Sequence, residues 1–366
     1  MVLAALLVTA VPTPARADWN HDAGSPYGNF YNPTDSRPTG TSVVLDWSAQ
    51  LPTGQGECLG GGVGGPLVAG GRVVVRTGHS IDAYAPSTGK LLWRARFSHW
   101  GPGVTDRERA GQLAVAGGRV LMVSTPCQDD ADDPSYLTAM DERSGKRLWR
   151  RRLDPGANDL VVDKGVAVVS AGWGTGVSTT AFRVSDGRQR WRTRKGVSGQ
   201  VSSLGRVFMG RANLAGGYVI DIATGRTLWS ISGRAVWALA ATPGLFIIRR
   251  EGKLTAVHAA SGKVVWSGLV YNAFTVSGSE MFVDREPMMA VYDLSTGRLR
   301  RTFPAKYGQP ILAGGLIHQW NWIFDARTGA PYATVPGEGS YTHPVVWDGR
   351  IYFMETGEVL RSYVFR

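Results

Sequence analysis

The chain has 366 residues, of which 43% are hydrophobic and 19% are charged, and its formal net charge is +11. This length predicts either two domains or one large domain built from repeats, and the composition excludes an intrinsically disordered chain. No apolar run reaches the roughly 18 residues that a membrane-spanning helix needs. The basic excess favours anionic partners and carries no information about the fold.

Residues 1–17 have the pattern of a secretory signal peptide. A short apolar stretch from Val2 to Val11 is followed by a proline break and by Ala15-Arg16-Ala17, which fits an A-x-A cleavage site. No Lys or Arg precedes the apolar stretch, which indicates either a true start upstream of Met1 or a weak signal. A buried N-terminal strand is the alternative to a signal peptide. Cleavage predicts a mature chain that begins at Asp18 and is secreted or held in the cell envelope, with residues 18–41 as a lead-in segment.

One phrase recurs along the rest of the chain: a β-like run, a Ser/Thr-Gly turn and a tryptophan four residues after the glycine. Successive turn glycines are 56, 42, 38, 37, 35 and 32 residues apart, which is the range of one four-stranded propeller blade per repeat. The sixth and seventh copies have Arg301 and Ala333 where the tryptophan stands in the others. The motif residues are Gly89, Trp93, Gly145, Trp149, Gly187, Trp191, Gly225, Trp229, Gly262, Trp266, Gly297 and Gly329.

The turn in this phrase has a physical explanation. In four copies an aspartate precedes the glycine by four residues, where its carboxylate can accept backbone N–H groups across the turn. Glycine supplies the positive φ that closes a bulged hairpin at little steric cost. We expect the tryptophan to pack between neighbouring blades, because a single blade cannot bury its own face. The four aspartates are Asp141, Asp221, Asp293 and Asp325.

The two ends of the chain complete an eighth repeat. The C-terminus supplies three strands and then stops, whereas residues 42–51, SVVLDWSAQL, resemble an outer strand and contain Trp47. Pairing this strand beside Leu360 to Phe365 would remove an open sheet edge. We therefore predict an all-β fold over residues 42–366: an eight-bladed β-propeller of four-stranded antiparallel blades, closed by the N-terminal strand.

The phrase A-x-D-x-x-[ST]-G-[KR]-x-x-W, seen most fully in Ala139, Asp141, Gly145 and Trp149, resembles the quinoprotein-type repeat of PQQ-like β-propellers. That superfamily includes PQQ-dependent alcohol dehydrogenases and outer-membrane assembly propeller lipoproteins. The opening DWNHDAGSPYGNFYNP is similar to the lead-in of many bacterial members. The resemblance implies the fold and leaves the activity open.

The dehydrogenases of this superfamily differ from the chain in their cofactor residues. They carry a disulfide between adjacent cysteines and a Glu/Asn/Asp set that holds calcium. Here Cys58 and Cys127 are far apart in sequence, and no segment stands out as a calcium set. We therefore predict a bacterial non-dehydrogenase member without catalytic residues, metal or cofactor. A small PQQ-dependent oxidoreductase, with PQQ and calcium, is the alternative.

The long insertions fall on one face of the predicted ring, in the first three blades. Trp100 and Trp173 lie in them, with Arg107, Glu108 and Arg109 nearby, and they predict a ligand or partner surface. The alternative is that these aromatic residues cap the ring. On the same face, on adjacent blades, Cys58 and Cys127 are predicted to form a disulfide; in a cytosolic protein they would be two thiols.

Basic residues concentrate on the predicted outer strands. They would form a belt for an anionic envelope polymer or, alternatively, protect the strand edges from pairing. Aromatic residues are not interleaved there, so no specific nucleic acid is expected. The function predicted is an exported, monomeric binding or scaffold module whose partner is a protein or such a polymer. The residues of the belt are Arg94, Arg96, Arg150, Arg151, Arg152, Arg190, Arg192, Arg194 and Lys195.

Overall fold

The computed structural model describes the chain from residue 31 onward in a series of ranges separated by gaps. None of the described ranges forms a helix long and apolar enough to cross a membrane. The ranges are 31–32, 36–52, 65–77, 80–96, 108–126, 134–157, 159–172, 176–211, 215–234, 236–271, 273–306, 308–336, 344–355 and 359–366.

In these ranges the strands form eight sheets, each with four antiparallel strands, arranged as the blades of a propeller. Blade 1 consists of β3 (Leu67–Ala69), β4 (Arg72–Arg76), β5 (Ser80–Tyr84) and β6 (Leu91–Arg96). Blade 2 consists of β7 (Glu108–Ala116), β8 (Arg119–Pro126), β9 (Tyr136–Asp141) and β10 (Arg147–Arg152). Blade 3 consists of β11 (Asp159–Asp163), β12 (Val166–Ala171), β13 (Ser178–Arg183) and β14 (Gln189–Thr193). Blade 4 consists of β15 (Val197–Ser203), β16 (Arg206–Gly210), β17 (Gly217–Asp221) and β18 (Thr227–Ile231). Blade 5 consists of β19 (Trp237–Ala241), β20 (Leu245–Arg250), β21 (Lys253–His258) and β22 (Val264–Leu269). Blade 6 consists of β23 (Phe274–Ser277), β24 (Glu280–Arg285), β25 (Met288–Asp293) and β26 (Leu299–Pro304).

The last two blades each take in a segment from the N-terminal part of the chain. Blade 7 consists of β27 (Ile311–Ala313), β28 (Leu316–Gln319), β29 (Trp322–Asp325) and β30 (Pro331–Thr334), and β1 (Tyr31–Asn32) pairs in parallel with β27. Blade 8 consists of β31 (Val345–Trp347), β32 (Arg350–Glu355), β33 (Val359–Phe365) and, as its outermost strand, β2 (Val43–Gln50).

The first strand of each blade lies at the ring axis. From β3 through β27 these strands contact one another in turn, and β31 contacts β3. Because strand direction alternates, the turns after the first and third strands lie on one face of the ring, which we call the turn face. The loops after the second strand and between blades lie on the opposite face, which we call the insertion face.

Among the described residues the core consists of eight apolar clusters, one at each seam between neighbouring blades. The middle strands are buried on both sides: every residue of β5 and β12 is buried. Outer strands such as β6 are buried mainly at alternate positions. Each fully buried Val, Leu or Phe contributes roughly 1.5–3 kcal/mol, so the seams carry most of the stability.

Closure of the ring by the N-terminal strand is confirmed. β2 pairs antiparallel with β33 from Val43 opposite Phe365 to Gln50 opposite Val359. Two backbone hydrogen bonds extend this pairing by one residue on each strand: Ser42 N–H donates to Arg366 O at 3.1 Å, and Arg366 N–H donates to Ser42 O at 2.8 Å. The edge of β33 is therefore covered by β2, as the edge argument predicts.

The turn aspartates act as predicted. Oδ1 of Asp141 accepts the backbone N–H of Ser144 at 2.9 Å and its hydroxyl at 2.7 Å. Asp221, Asp293 and Asp325 make the same pair of bonds in their blades. The following glycine has a positive φ, 69° at Gly145.

Each motif tryptophan spans the seam to the next blade, as predicted. Trp93 Nε1 donates to Glu142 O at 2.9 Å, and its ring lies against Gly145, where an added Cβ would be 2.5 Å from Cε3. The turn glycine therefore leaves room for the neighbour's indole as well as closing its own hairpin. The other donor–acceptor pairs are Trp47–Pro86, Trp149–Val184, Trp191–Ile222, Trp229–Ala259 and Trp266–Leu294.

The seam between blades 6 and 7 uses two other side chains for the same purpose. Arg301, in the tryptophan position, donates from Nη2 to Ala326 O at 3.0 Å and forms an ion pair with Glu280. The place of the indole against the next turn glycine, Gly329, is taken by the ring of Phe303.

Candidate binding surface on the insertion face

The residues predicted to form a partner surface are only partly described. Trp100, Arg107 and Trp173 lie outside the described residues, as do Cys58 and Cys127 of the predicted disulfide, the predicted signal peptide (1–17) and most of the lead-in segment. Glu108 and Arg109 begin β7 at the insertion face, where their backbones pair with Pro126 and Thr125. These two residues therefore stand at the insertion face, and their role in a partner surface stays a prediction.

In blade 1, an outer-strand arginine of the predicted belt belongs to a buried network. Arg94 donates to both carboxylate oxygens of Asp82 at 2.7–3.0 Å, and Asp82 is fully buried. Tyr84 donates to the same carboxylate, and burial, followed by the charge of Asp82, raises the pKa of Tyr84 to about 12. This arginine neutralises a core carboxylate and serves the fold.

Other belt residues divide between fold and surface. Arg151 donates to the backbone carbonyls of Asp186 and Gly187 in the next blade, and Arg150 stacks on Tyr136 at 3.6 Å. Arg192 forms an ion pair with Asp154. The belt residues that remain exposed on blades 1 to 3 and just beyond are Arg96, Arg152, Arg190, Arg194 and Lys195.

An exposed aromatic site on the insertion face lies in blade 7. Trp320, in the turn between β28 and β29, has a φ of 55° and is 48% exposed. Its indole lies against Gly308, where an added Cβ would be 2.3 Å from Nε1. Next to this turn, Lys306 Nζ lies 4.9 Å from the centre of the Trp322 ring. The indole of Trp320, the ring of Trp322 and the ammonium group of Lys306 together form what we call the blade 7 patch.

Buried polar groups hold this patch rigidly from below. Gln319, which is fully buried, donates from Nε2 to Lys306 O at 2.8 Å and to Gly308 O at 3.1 Å. Asp284, 1% exposed, accepts the N–H of Gly308 at 3.1 Å. Blades 6 and 7 therefore fix both ends of the segment on which Trp320 rests.

His318, next to Gln319, is buried without a polar partner. It is 1% exposed, and neither ring nitrogen has a hydrogen-bond partner in the described part of the chain. Burial lowers the pKa of His318 to about 3, so the imidazole is neutral at physiological pH. Since Leu316 shares its side of β28 and belongs to the cluster between blades 7 and 8, the imidazole lies at that seam.

The sequence prediction missed the blade 7 patch because none of its residues belongs to the repeat. The signal that could have found it is QWNW at 319–322, in which Trp320 belongs to a two-residue turn and Trp322 begins the next strand. No group of three or more His, Cys, Asp or Glu side chains that could hold a metal ion lies within the ranges that the structure describes.

Several solved structures share the fold. BamB from Moraxella catarrhalis has a TM-score of 0.62 at 13% identity, covering 88% of this chain and 98% of its own. A europium-containing methanol dehydrogenase has a TM-score of 0.65 at 12% identity, covering 93% and 89%. Saccharomyces cerevisiae Sqt1 has a TM-score of 0.56 at 12% identity, covering 91% and 100%. At such identities these likenesses show the fold alone.

Family comparison is more specific. No curated protein matches the chain. The family model described as "Outer membrane protein assembly factor BamB" matches residues 35–210 and 133–362, which together span most of the chain. The chain therefore belongs to this BamB-like family of PQQ-like β-propellers.

Proposed function

We propose that the protein is an exported, non-catalytic binding or scaffold module whose protein partner docks on the insertion face. The observation that carries the proposal is Trp320, an exposed tryptophan held in a left-handed backbone conformation. That conformation costs a non-glycine residue roughly 1–3 kcal/mol and persists only where the surroundings enforce it. Tryptophan is also a residue type that dominates binding energy at protein interfaces.

The frame beneath Trp320 supports a binding role. Gln319 and Asp284 fix the Gly308 segment through buried hydrogen bonds, so the indole is presented without a large loss of conformational freedom on binding. The surface predicted around Trp100, Arg107, Glu108, Arg109 and Trp173 is expected on the same face, where the described Glu108 and Arg109 begin β7.

The family supports a protein partner. Its model is named for an outer membrane protein assembly factor, and we extend this to the present chain as an extracytoplasmic scaffold role. The exposed arginines of the outer strands keep an anionic envelope polymer as the second partner class. Mass spectrometry of the protein from the producing cells tests export: a mature N-terminus at Asp18 is expected, and an intact Met1 in the cytosol would contradict it.

Site-specific photo-crosslinking in the producing cells tests the docking face. A crosslinking residue at position 320 should give one discrete adduct of constant mass. The matched control is position 204, because Leu204 is also a turn residue with positive φ (52°) and 46% exposure, but it lies on the turn face. Equal adducts from both positions, or none from position 320, would contradict the proposal.

The alternative enzyme function has its own test. Purified protein is mixed with PQQ and Ca²⁺, and the quinone absorbance is followed with alcohols or aldose sugars. We expect no turnover and no cofactor requirement for the position 320 adduct. Substrate-dependent bleaching of the quinone would establish the oxidoreductase instead.

A further inference from the structure

The turn face of blade 2 contains an open cleft with a volume of about 890 Å³. Its lining includes Gly117 and Gly118 of the first turn, Asp141 and Glu142 of the last turn, and Leu148 of the outer strand. The insertion face, with the blade 7 patch, lies on the other side of the ring.

In blade 7 the corresponding turns hold a segment of the chain itself. The carbonyl oxygen of Ser36 lies 2.7 Å from the place of a Cβ on Gly314, in the first turn. Arg37 forms a 2.7 Å ion pair with Oδ2 of Asp325, in the last turn, and lies 5.1 Å from the centre of the Tyr332 ring. A Gly-Gly turn thus leaves room for an extended backbone, and the turn aspartate binds its arginine.

The side chains of Asp141 and Asp325 accept the same hydrogen bonds within their turns and differ in whether the second carboxylate oxygen, Oδ2, has a partner. Oδ1 of each accepts the N–H and hydroxyl of the residue three places later, Ser144 or Thr328. Oδ2 of Asp325 binds Arg37, whereas Oδ2 of Asp141 has no hydrogen-bond or ion-pair partner among the described residues. The bonds from Ser144 lower the pKa of Asp141, so this carboxylate is charged at neutral pH.

We propose that the blade 2 cleft binds an extended segment of a partner protein, with an arginine or lysine of that segment paired to Asp141. The Gly117-Gly118 turn corresponds to Gly314-Gly315 of blade 7, which accommodates the lead-in backbone. Blade 4 has Leu204-Gly205 at this position, so an exposed leucine stands where the glycine would leave space.

The charged side chains that line the cleft indicate which kind of partner segment it can bind. Glu142 is 8% exposed, and its carboxylate lies 3.8 Å from Arg72, which partly neutralises it. Arg119 and Arg143 also line the cleft. Since the lining mixes both signs, it complements a segment with an acidic residue close to its basic one. The lead-in sequence DSRP at 35–38 has this pattern.

Fluorescence anisotropy with a labelled peptide of residues 32–41, NPTDSRPTGT, tests the proposal on the mature protein. We expect saturable binding that weakens at least tenfold with Asp141→Asn, because a charge-assisted pair is lost. Leu148→Lys, at an exposed rim position, should weaken binding similarly by repelling the arginine. The matched controls in blade 4, Asp221→Asn and Leu228→Lys, should leave binding unchanged, and Leu228 has the same 46% exposure as Leu148.

Three results would overturn the proposal. One is no saturable binding into the millimolar range. Another is equal weakening by the blade 2 variants and their blade 4 controls, which would indicate a general charge effect. The third is a loss confined to Asp325→Asn, which would mean that the peptide only exchanges with the chain's own lead-in segment. A peptide with alanine in place of the arginine should lose binding to the same extent as Asp141→Asn does.

Discussion

The seam between blades 2 and 3 and the seam between blades 6 and 7 join neighbouring blades in chemically different ways. In the first, Trp149 supplies both an indole ring over Gly187 and an N–H bond to Val184 O at 3.1 Å. In the second, Arg301 makes the bond and Phe303 supplies the ring over Gly329.

The difference shows which part of the repeat the fold requires. At the motif positions both seams keep a donor to a backbone carbonyl and a ring against a turn glycine, while the residue types change. The first seam has further bonds from Arg151 to the carbonyls of Asp186 and Gly187. The indole of Trp149 is neutral, whereas the guanidinium of Arg301 is charged and pairs with Glu280. The motif donor of the arginine seam therefore contributes to stability in a way that depends on pH, whereas a motif indole does not.

The largest effect is expected from removing a motif indole. Trp149 is 8% exposed, and Trp149→Ala should lower the free energy of unfolding by about 3–5 kcal/mol through the cavity and the lost bond. Urea unfolding measures this. Trp320→Ala is the matched control and should change stability by about 0.5 kcal/mol or less, because its indole is half exposed. Similar losses in both variants would contradict the role of the seam.

The next largest effect is expected at a turn glycine, where two variants distinguish the cost of backbone strain from the cost of a clash with the neighbouring indole. Gly145 and Gly165 have φ of 69° and 70°, but a Cβ would meet the Trp93 ring at 2.5 Å only at Gly145. Gly165→Ala should cost about 1–2 kcal/mol for the left-handed conformation alone. Gly145→Ala should cost about 1–3 kcal/mol more, because the indole must shift. Equal losses in thermal unfolding would mean that the glycine serves only its own turn.

Much of the ring could be predicted from the sequence because each blade repeats one local solution. The spacing of the turn glycines gave the blade count, and Trp47 identified the closing strand. The arginine seam could also have been recognised, since Arg301 occupies the tryptophan position and Phe303 follows two residues later. Its counter-charge, Glu280, is 21 residues away, and only the sheet register brings the two together.

The candidate sites were harder to predict because they depend on what neighbouring segments leave open. Gly117-Gly118 and Gly314-Gly315 look alike in sequence, yet the first lines a cleft and the second holds the lead-in segment. The exposure of Trp320 likewise depends on its turn conformation. The predicted surface around Trp100 and Trp173 and the disulfide between Cys58 and Cys127 stay predictions.

An effect that appears only in acid is expected at the seam between blades 7 and 8, where His318 is buried. The folded pKa of His318, about 3, lies below its ordinary 6.5, so the unfolded chain takes up a proton that the folded chain does not. Stability from this group is complete above pH 6.5 and falls by up to about 1.4 kcal/mol per pH unit as the pH decreases toward 3. His318→Leu should flatten this part of the stability profile in urea titrations, whereas the exposed His258→Leu should not. Identical profiles of stability against pH for wild type and His318→Leu would contradict the assignment of this pH dependence to His318.

The smallest effect concerns the ion pair of the arginine seam. Hydrogen bonds from Arg301 lower the pKa of Glu280 below the ordinary glutamate value of 4.5, so the pair stabilises the fold above that pH. Its contribution is lost as the pH falls through the lowered pKa.

At neutral pH, Glu280→Gln should cost about 1 kcal/mol, a modest value because both side chains are partly exposed. The difference from wild type should shrink toward zero in acid. Trp266→Phe removes the 2.7 Å bond from Nε1 to Leu294 O without removing a charge, so its cost should stay constant over the same pH range. Guanidinium chloride would screen the pair, so urea unfolding at several pH values is the suitable measurement. If the costs of Glu280→Gln and Trp266→Phe varied with pH in parallel, the two seams would not differ in the way their donors imply.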